Sequence, residues 1–255
     1  MKRLAQIALL LGVSGMSAYA STVLCTSFGD VLSAATLQQL GASGCQFGDK
    51  IFSNFTYVYK LQDASGATFA GDAGTPNVTA NQVRVVFSNL GGNPYMPILS
   101  IVSTWQVSNG NSGDITLQYD VNAPSSVPMV LSWVSATGQV SNVNPGVDYN
   151  SYISVGDTID AGGPKNLGIE LDPPLTTSGL TTVTQTNSIG YAPQTHIHYI
   201  KDVFISSGSG ANQAILSQVN QGIYETPEPM VSLTVGGGFT LLGLLGVRNR
   251  KKQAK

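Results

Sequence analysis

The sequence predicts an all-β protein, an antiparallel β-sandwich or jelly-roll-like domain with a short N-terminal helix. Apolar residues recur at period two along most of the chain, which is the periodicity of strands. Clusters rich in Gly, Pro, Asn and Asp separate these runs. The 255 residues include 29 glycines and 12 prolines, and these do not follow a collagen period. About ten short strands spaced in this way are typical of a sandwich.

The composition excludes a coiled coil and a highly charged disordered chain. Only 10% of the residues are charged and 42% are hydrophobic, whereas roughly 25% are charged in an average soluble protein. The net charge of −2 conceals an asymmetry, because residues 21–227 hold five basic and thirteen acidic residues. Since nucleic-acid binding depends on neutralising phosphates, we expect no nucleic-acid partner for this acidic body.

Residues 1–20 have the organisation of a secretory signal peptide. Two basic residues precede an apolar run over Leu4–Val13, and small residues stand at the −3 and −1 positions. Cleavage is therefore predicted between Ala20 and Ser21, which makes this an exported protein. An uncleaved N-terminal anchor is the alternative.

The two cysteines come early in the predicted mature chain. An exported protein with two cysteines most simply forms one disulfide, here between Cys25 and Cys45. The closed loop would constrain the unfolded chain by about 3 kcal/mol, and two free thiols are the alternative. Between them, Val31–Leu40 is predicted as a short helix that ends at Gly41.

The strands follow from Ile51 onward. In residues 114–121, Ile115, Leu117, Tyr119 and Val121 share one face, and polar residues occupy the other. Apolar residues indicate further strands at 55–59, 83–87, 98–107, 129–134, 197–205 (interrupted by Lys201) and 214–224. Residues 206–212 are predicted to be a hairpin loop, and the whole of 21–225 forms one β-sandwich ectodomain.

The segment 226–255 has three parts. Pro227, Glu228 and Pro229 precede Met230–Val247, eighteen residues without a charge, and a basic tail follows. As a helix this run spans about 27 Å, close to the hydrocarbon thickness of a bilayer. We therefore predict a transmembrane helix whose basic end stays cytoplasmic while the body lies outside.

This three-part order resembles the PEP-CTERM sorting signal of exported proteins in Gram-negative bacteria that make exopolysaccharide. The resemblance implies that Pro227, Glu228 and Pro229 are recognised by an exosortase, a membrane cysteine transpeptidase, which removes the tail nearby. The inner-membrane anchor would then be transient, and the protein would reach the cell surface or extracellular matrix, in association with exopolysaccharide. A permanent C-terminal anchor is the alternative.

A second segment carries a weaker resemblance. The stretch from Gly44 to Phe55, with the pattern Gly-Cys-x-x-Gly-Asp-Lys-x-Phe-Ser-Asn-Phe, is similar to the opening of many PEP-CTERM-bearing proteins. This likeness supports the class and implies no activity.

The body offers few candidates for chemistry, and we assign no catalytic, cofactor or metal-binding residue. His196 and His198 share a strand face, but a zinc site needs a third ligand, and Asp202 lies about 20 Å from His196 along an extended strand. The pairs Asp157–Asp160 and Glu170–Asp172 are candidates for calcium, but no EF-hand spacing is present. A secreted hydrolase remains the third hypothesis, without an identified carboxylate pair or triad.

A carbohydrate-binding module is the stronger alternative to a purely structural matrix protein. Glycans stack on exposed aromatic rings, and the aromatic candidates are Tyr95, Trp105, Trp133, Tyr149, Tyr152 and Tyr191. Because Trp105 and Trp133 stand in the most apolar strands, we predict that both belong to the core.

Overall fold

The computed structural model describes residues 23–25, 34–41, 44–93, 96–142, 151–173, 178–209 and 212–226. The predicted signal peptide with its Ala20–Ser21 junction lies outside these residues. The predicted sorting motif, Pro227 to Pro229, and the predicted transmembrane helix also lie outside them. Within the described ranges, no helix is both long and apolar enough to cross a membrane.

The described residues form twelve strands and one α-helix, α1. Helix α1 is Leu37–Leu40. The strands are β1 Ala34–Thr36, β2 Cys45–Phe47, β3 Lys50–Gln62, β4 Arg84–Asn89, β5 Pro97–Ser108, β6 Ser112–Asn122, β7 Met129–Asn142, β8 Tyr152–Asp160, β9 Pro164–Leu171, β10 Gly179–Gln194, β11 His196–Ser206 and β12 Gln213–Glu225.

The strands make two six-stranded antiparallel sheets, which confirms the predicted all-β sandwich. Sheet A has the order β2-β3-β6-β11-β8-β9, and sheet B has the order β1-β4-β5-β12-β7-β10. Counted from β5 as the first strand to β12 as the eighth, the two sheets read 2-7-4-5 and 1-8-3-6. This is the double Greek-key arrangement of a jelly roll.

The core lies between the sheets and follows the period-two pattern. In β6, Ile115, Leu117, Tyr119 and Val121 are all buried, and the residues between them lie on the outer face. Sheet B contributes Trp105, Val134, Leu216 and other apolar residues to the same cluster. Burial of these side chains is the main favourable term in folding.

The N-terminal helix is shorter than predicted. It begins at Leu37 because Thr36 caps it: the Gln39 amide donates to Thr36 Oγ1 at 3.2 Å, and the Thr36 amide donates to Gln39 Oε1 at 2.8 Å. The residues just before it, Ala34–Thr36, pair with β4 instead. The helix ends as predicted at Gly41, whose φ is 41°.

The disulfide between Cys25 and Cys45 is confirmed. The sulfurs are 2.07 Å apart and the Cα atoms 4.9 Å apart, and both residues are fully buried. Because Cys45 pairs with Phe52 of β3, the bond fastens the N-terminal segment at Cys25 to the edge of sheet A.

The segment from Gly44 to Phe55 has a structural role at most of its positions. Gly44 has φ of 61°, and a Cβ there would lie 2.0 Å from the Phe52 carbonyl oxygen. Lys50 is buried and forms a 2.6 Å ion pair with Glu225 at the end of β12. Asn54 has φ of 57° and lies in a bulge of β3. These residues therefore fasten the N-terminal segment to the body.

One predicted connection is wrong. The loop between β11 and β12, which includes the described residues 207–209, joins sheet A to sheet B. It is a crossover between sheets and not a hairpin loop, since a hairpin joins hydrogen-bonded neighbours in one sheet.

Candidate glycan-binding face

The outer faces of the two sheets differ sharply in charge. The six strands of sheet B contain two charged residues, Arg84 and Glu225, and Glu225 points inward. The six strands of sheet A contain ten charged residues and both histidines. A sandwich needs only inward apolar residues to fold, so the outer faces were free to acquire different chemistry.

Trp133 lies on the outer face of sheet B, which contradicts its predicted place in the core. It is partly exposed and stands opposite Gly222 in β12 and Ser188 in β10. A Cβ on Gly222 would lie 1.8 Å from Trp133 Nε1 and 1.9 Å from Cε2. The indole therefore occupies the space above the Gly222 backbone and lies across the sheet.

Hydroxyl and amide side chains surround this ring, and we call the surface the hydroxyl face. It consists of Ser135, Thr137, Gln139, Thr182, Thr184, Thr186, Ser188, Gln218 and Asn220 together with Trp133, Gly222 and Tyr224. Adjacent strands are joined across it by hydrogen bonds, for example Asn220 Nδ2 to Ser135 Oγ at 3.0 Å and between the Thr137 and Thr184 hydroxyls at 3.1 Å. Hydroxyls retain further donor and acceptor capacity after one such bond.

An open groove of about 480 Å³ adjoins the hydroxyl face on the same sheet. Its floor is formed by Arg84, Val102, Thr104 and Ser217, and residues 76–78 form a wall. The volume falls within the range of small-ligand sites.

The outer face of sheet A, which we call the acidic face, carries Lys60, Asp114, Asp120, Asp160, Glu170, His196, His198 and Asp202. At one end Asp120 accepts from Asn54 Nδ2 at 2.5 Å and lies 2.6 Å from His198 Nδ1. Burial alone would raise the pKa of Asp120, but the hydrogen bonds from Asn54 and His198 and the charges of both histidines lower it overall. The bulge at Asn54 is what brings this amide to the carboxylate.

Two further carboxylates lie at the other end of the acidic face. Burial raises the pKa of Asp202. Asp114 raises it further, through charge repulsion and a hydrogen bond. Tyr152 and Phe204 lie beside this pair with their ring centroids 5.8 Å apart.

The predicted metal candidates do not come together. His196 and His198 share a face with Asp202 as predicted, but His196 Nδ1 contacts Asn122 at 2.9 Å instead of a third ligand. Asp157 is buried, and Asp160 points outward from the same strand. Within the described ranges, no three His, Cys, Asp or Glu residues are grouped as a metal site would require.

The predicted aromatic candidates divide between the core and the surface. Trp105 is buried as predicted, and its Nε1 donates to the Tyr57 hydroxyl at 2.8 Å. Tyr191 is partly buried, with its hydroxyl 2.8 Å from Ser132 Oγ, and Tyr152 lies on the acidic face. Tyr95 and Tyr149 fall outside the described residues.

Sequence reasoning missed Gly222, because its role depends on Trp133, a residue 89 positions away.

No family model matches the chain, and no curated protein matches it. Among solved structures, it is similar to TmCBM61 in complex with beta-1,4-galactotriose (12% identity, TM-score 0.28, covering 55% of this chain and 86% of that one). It is also similar to a Family 16 Carbohydrate Binding Module-2 (12% identity, TM-score 0.26, covering 54% of this chain and 84% of that one). A third similar structure is the module CBM6cm-2 from Cellvibrio mixtus lichenase 5A in complex with cellotriose (13% identity, TM-score 0.22, covering 66% of this chain and 97% of that one). These TM-scores lie below 0.5, so the matches carry no argument about the site.

Proposed function

We propose that this protein is an exported, non-enzymatic polysaccharide-binding protein of the cell surface or extracellular matrix, and that the hydroxyl face is its binding surface. The observation that carries the proposal is the position of Trp133, which lies across Gly222 on a face without charge at its centre. An indole in this position presents its negative π-face to the C–H groups of a sugar ring. The neighbouring Ser, Thr and Asn side chains supply partners for sugar hydroxyls.

The export and sorting parts of the proposal rest on the sequence. A signal peptide delivers the chain, the C-terminal segment holds it in the inner membrane, and an exosortase-like transpeptidase releases it near Pro227. The described body ends at Thr226, whose amide donates to the Pro128 carbonyl at 3.0 Å. The sorting motif thus follows the folded domain directly.

The intact mass of the native protein tests the sorting step. A soluble species that begins at Ser21 and ends near Pro227 is the expected result in the extracellular fraction. A membrane-bound species that keeps Met230 to Lys255 would contradict sorting and would leave the binding proposal untouched.

Tryptophan fluorescence tests the binding step, because the chain has two tryptophans and Trp105 is buried. Titration with the host's own exopolysaccharide should change the emission of Trp133 saturably. Isothermal titration of Trp133→Ala, which lacks the fluorescent reporter, should show binding weakened about tenfold or more. Tyr152→Ala on the acidic face is the matched control and should bind as the wild type does; equal binding by Trp133→Ala would refute this surface.

A hydrolase is the second hypothesis, and Asp114 with Asp202 is the pair that would serve it. Glycosidases hold their two carboxyl groups about 5 to 9.5 Å apart. Burial and repulsion by Asp114 raise the pKa of Asp202, and this is the one observation that favours a hydrolase.

A further inference from the structure

A lysine and an aspartate lie buried together between the two sheets, and the proposed function does not use them. Lys201 in β11 stands directly opposite Asp157 in β8. Their side chains are 1% and 0% exposed. Lys201 is the residue that interrupts the apolar pattern of its strand in the sequence, and it points into the core.

The lysine nitrogen contacts both oxygens of the aspartate. Lys201 Nζ lies 2.7 Å from Asp157 Oδ1 and 2.7 Å from Oδ2. A nitrogen equidistant from both oxygens at this range lies about 3 Å from Cγ, within the separation of a near-attack arrangement. Gln221, from β12 of the opposite sheet, accepts from the same nitrogen at 2.6 Å and holds it in place.

The surroundings favour uncharged forms of both groups. Burial lowers the pKa of Lys201 while Asp157 raises it, and the net change is downward. Burial raises the pKa of Asp157 against the opposing charge of Lys201, and the net change is upward. Transfer of one proton within the pair gives a neutral amine, which is a nucleophile, and a neutral carboxylic acid, which is an electrophile.

We propose that Lys201 and Asp157 condense after folding into an intramolecular isopeptide bond between Nζ and Cγ. The nitrogen lone pair attacks Cγ, the new C–N bond forms and one C–O bond breaks. The departing hydroxyl leaves with one amine proton as water, so atoms balance and nothing is oxidised or reduced.

The alternative is a buried ion pair that never reacts. Such pairs gain little net stability, because desolvation offsets their attraction. A covalent bond between β8 and β11 would instead lock two central strands of sheet A together, and it would do so independently of glycan binding.

The chain contains an internal control. Lys50 is also buried, but its nitrogen is shared between Glu225 Oε1 at 2.6 Å and Asp49 Oδ1 at 2.7 Å, and Asp49 is 38% exposed. No single carboxyl carbon is held on the nitrogen in the way that Asp157 is held on Lys201. Lys50 should therefore keep a free amine.

Mass spectrometry of the exported, disulfide-reduced protein tests the proposal. The expected mass is lower, by one water molecule, than the mass of the same polypeptide without the bond. Trypsin cleaves after Lys165, which lies between the two residues in the sequence, so the bond would keep both flanking segments joined in one branched peptide. The double variant Lys201→Met with Asp157→Leu should show the full mass, and it serves as the unreacted standard.

Three results would overturn the proposal. The first is a full-mass wild-type protein that trypsin cleaves after Lys201. The second is a deficit of one ammonia with Lys201 joined to Gln221, which would make the amide the electrophile. The third is a water deficit that maps to Lys50, which would show that burial of a lysine beside a carboxylate is sufficient without the bidentate contact.

Discussion

The hydroxyl face and the acidic face cover the same core but differ in their chemistry. On the hydroxyl face, side chains of adjacent strands bond to one another through hydroxyls and amides, and Trp133 lies among them. On the acidic face, carboxylates meet histidines and other carboxylates. The comparison shows that an inward apolar pattern is sufficient for the fold and leaves the chemistry of each outer face free to differ.

The largest expected difference comes from two outward glycines, one on each face. Gly222→Ala places a Cβ 1.8 Å from the Trp133 ring, so the indole must leave its position. We expect a stability loss of about 1–3 kcal/mol together with loss of polysaccharide binding. Urea unfolding and the fluorescence titration measure the two effects.

Gly156→Ala on the acidic face is the matched control. The nearest atom to its Cβ would be the Asp202 carbonyl oxygen at 3.6 Å, an ordinary contact. Because alanine restricts the unfolded chain, this variant should be unchanged or more stable by about 0.4–1 kcal/mol. A similar loss in both variants would mean that Gly222 has no special relation to Trp133.

The second prediction concerns salt. If the polysaccharide binds at a face without central charge, its Kd should differ by less than about twofold between 0.05 and 0.5 M NaCl, because salt screens only interactions between charges. Isothermal titration at several salt concentrations measures this. A steep dependence on salt would mean that charged residues bind the polysaccharide, either on the acidic face or at Arg84 in the groove.

The contrast between the faces also explains what the sequence could predict. The alternation in β6 is clear because Ile115, Leu117 and Val121 alternate with polar residues, so its buried face is predictable. Strand β10 was missed because Thr, Gln and Asn occupy both of its faces. Trp133 was misplaced because the apolar run at the start of β7, Met129 to Leu131, does not alternate with polar residues, and only the strand register shows that Val134 points inward.

The contact between the buried polar residues could not be predicted from the sequence for a related reason. Lys201 interrupts an apolar face, and Asp157 was considered a calcium candidate with Asp160. The Lys201 and Asp157 side chains meet because β11 and β8 are neighbours in sheet A, although 43 residues lie between the two residues along the chain. No local pattern encodes that adjacency.

A third prediction addresses the bulge that shapes the acidic face. Asn54 has φ of 57°, which costs about 1–2 kcal/mol for most residues but little for glycine. Asn54→Ala should therefore destabilise the protein by about 1–2 kcal/mol, and Asn54→Gly by less, because both lose the hydrogen bond to Asp120 but only alanine adds strain. Urea unfolding of both variants measures the difference, and equal losses would assign the whole effect to the hydrogen bond.

The smallest effects separate two carboxylates of the acidic face. The pKa of Asp120 is lowered in the folded protein, so its contribution is present above the unfolded pKa of about 3.9 and is lost as the pH falls through the folded value. Asp120→Asn should thus cost about 1 kcal/mol or less at pH 7, since its partner His198 is exposed to solvent that screens the pair, and it should cost less at pH 2. The pKa of Asp202 is raised by burial and by Asp114, so its ionised form opposes folding at pH 7. Asp202→Asn should therefore have the opposite sign, a gain of a few tenths of a kcal/mol at pH 7. Urea unfolding at the two pH values measures both signs, and a loss from Asp202→Asn at pH 7 would show that the two carboxylates stabilise the face in the same way.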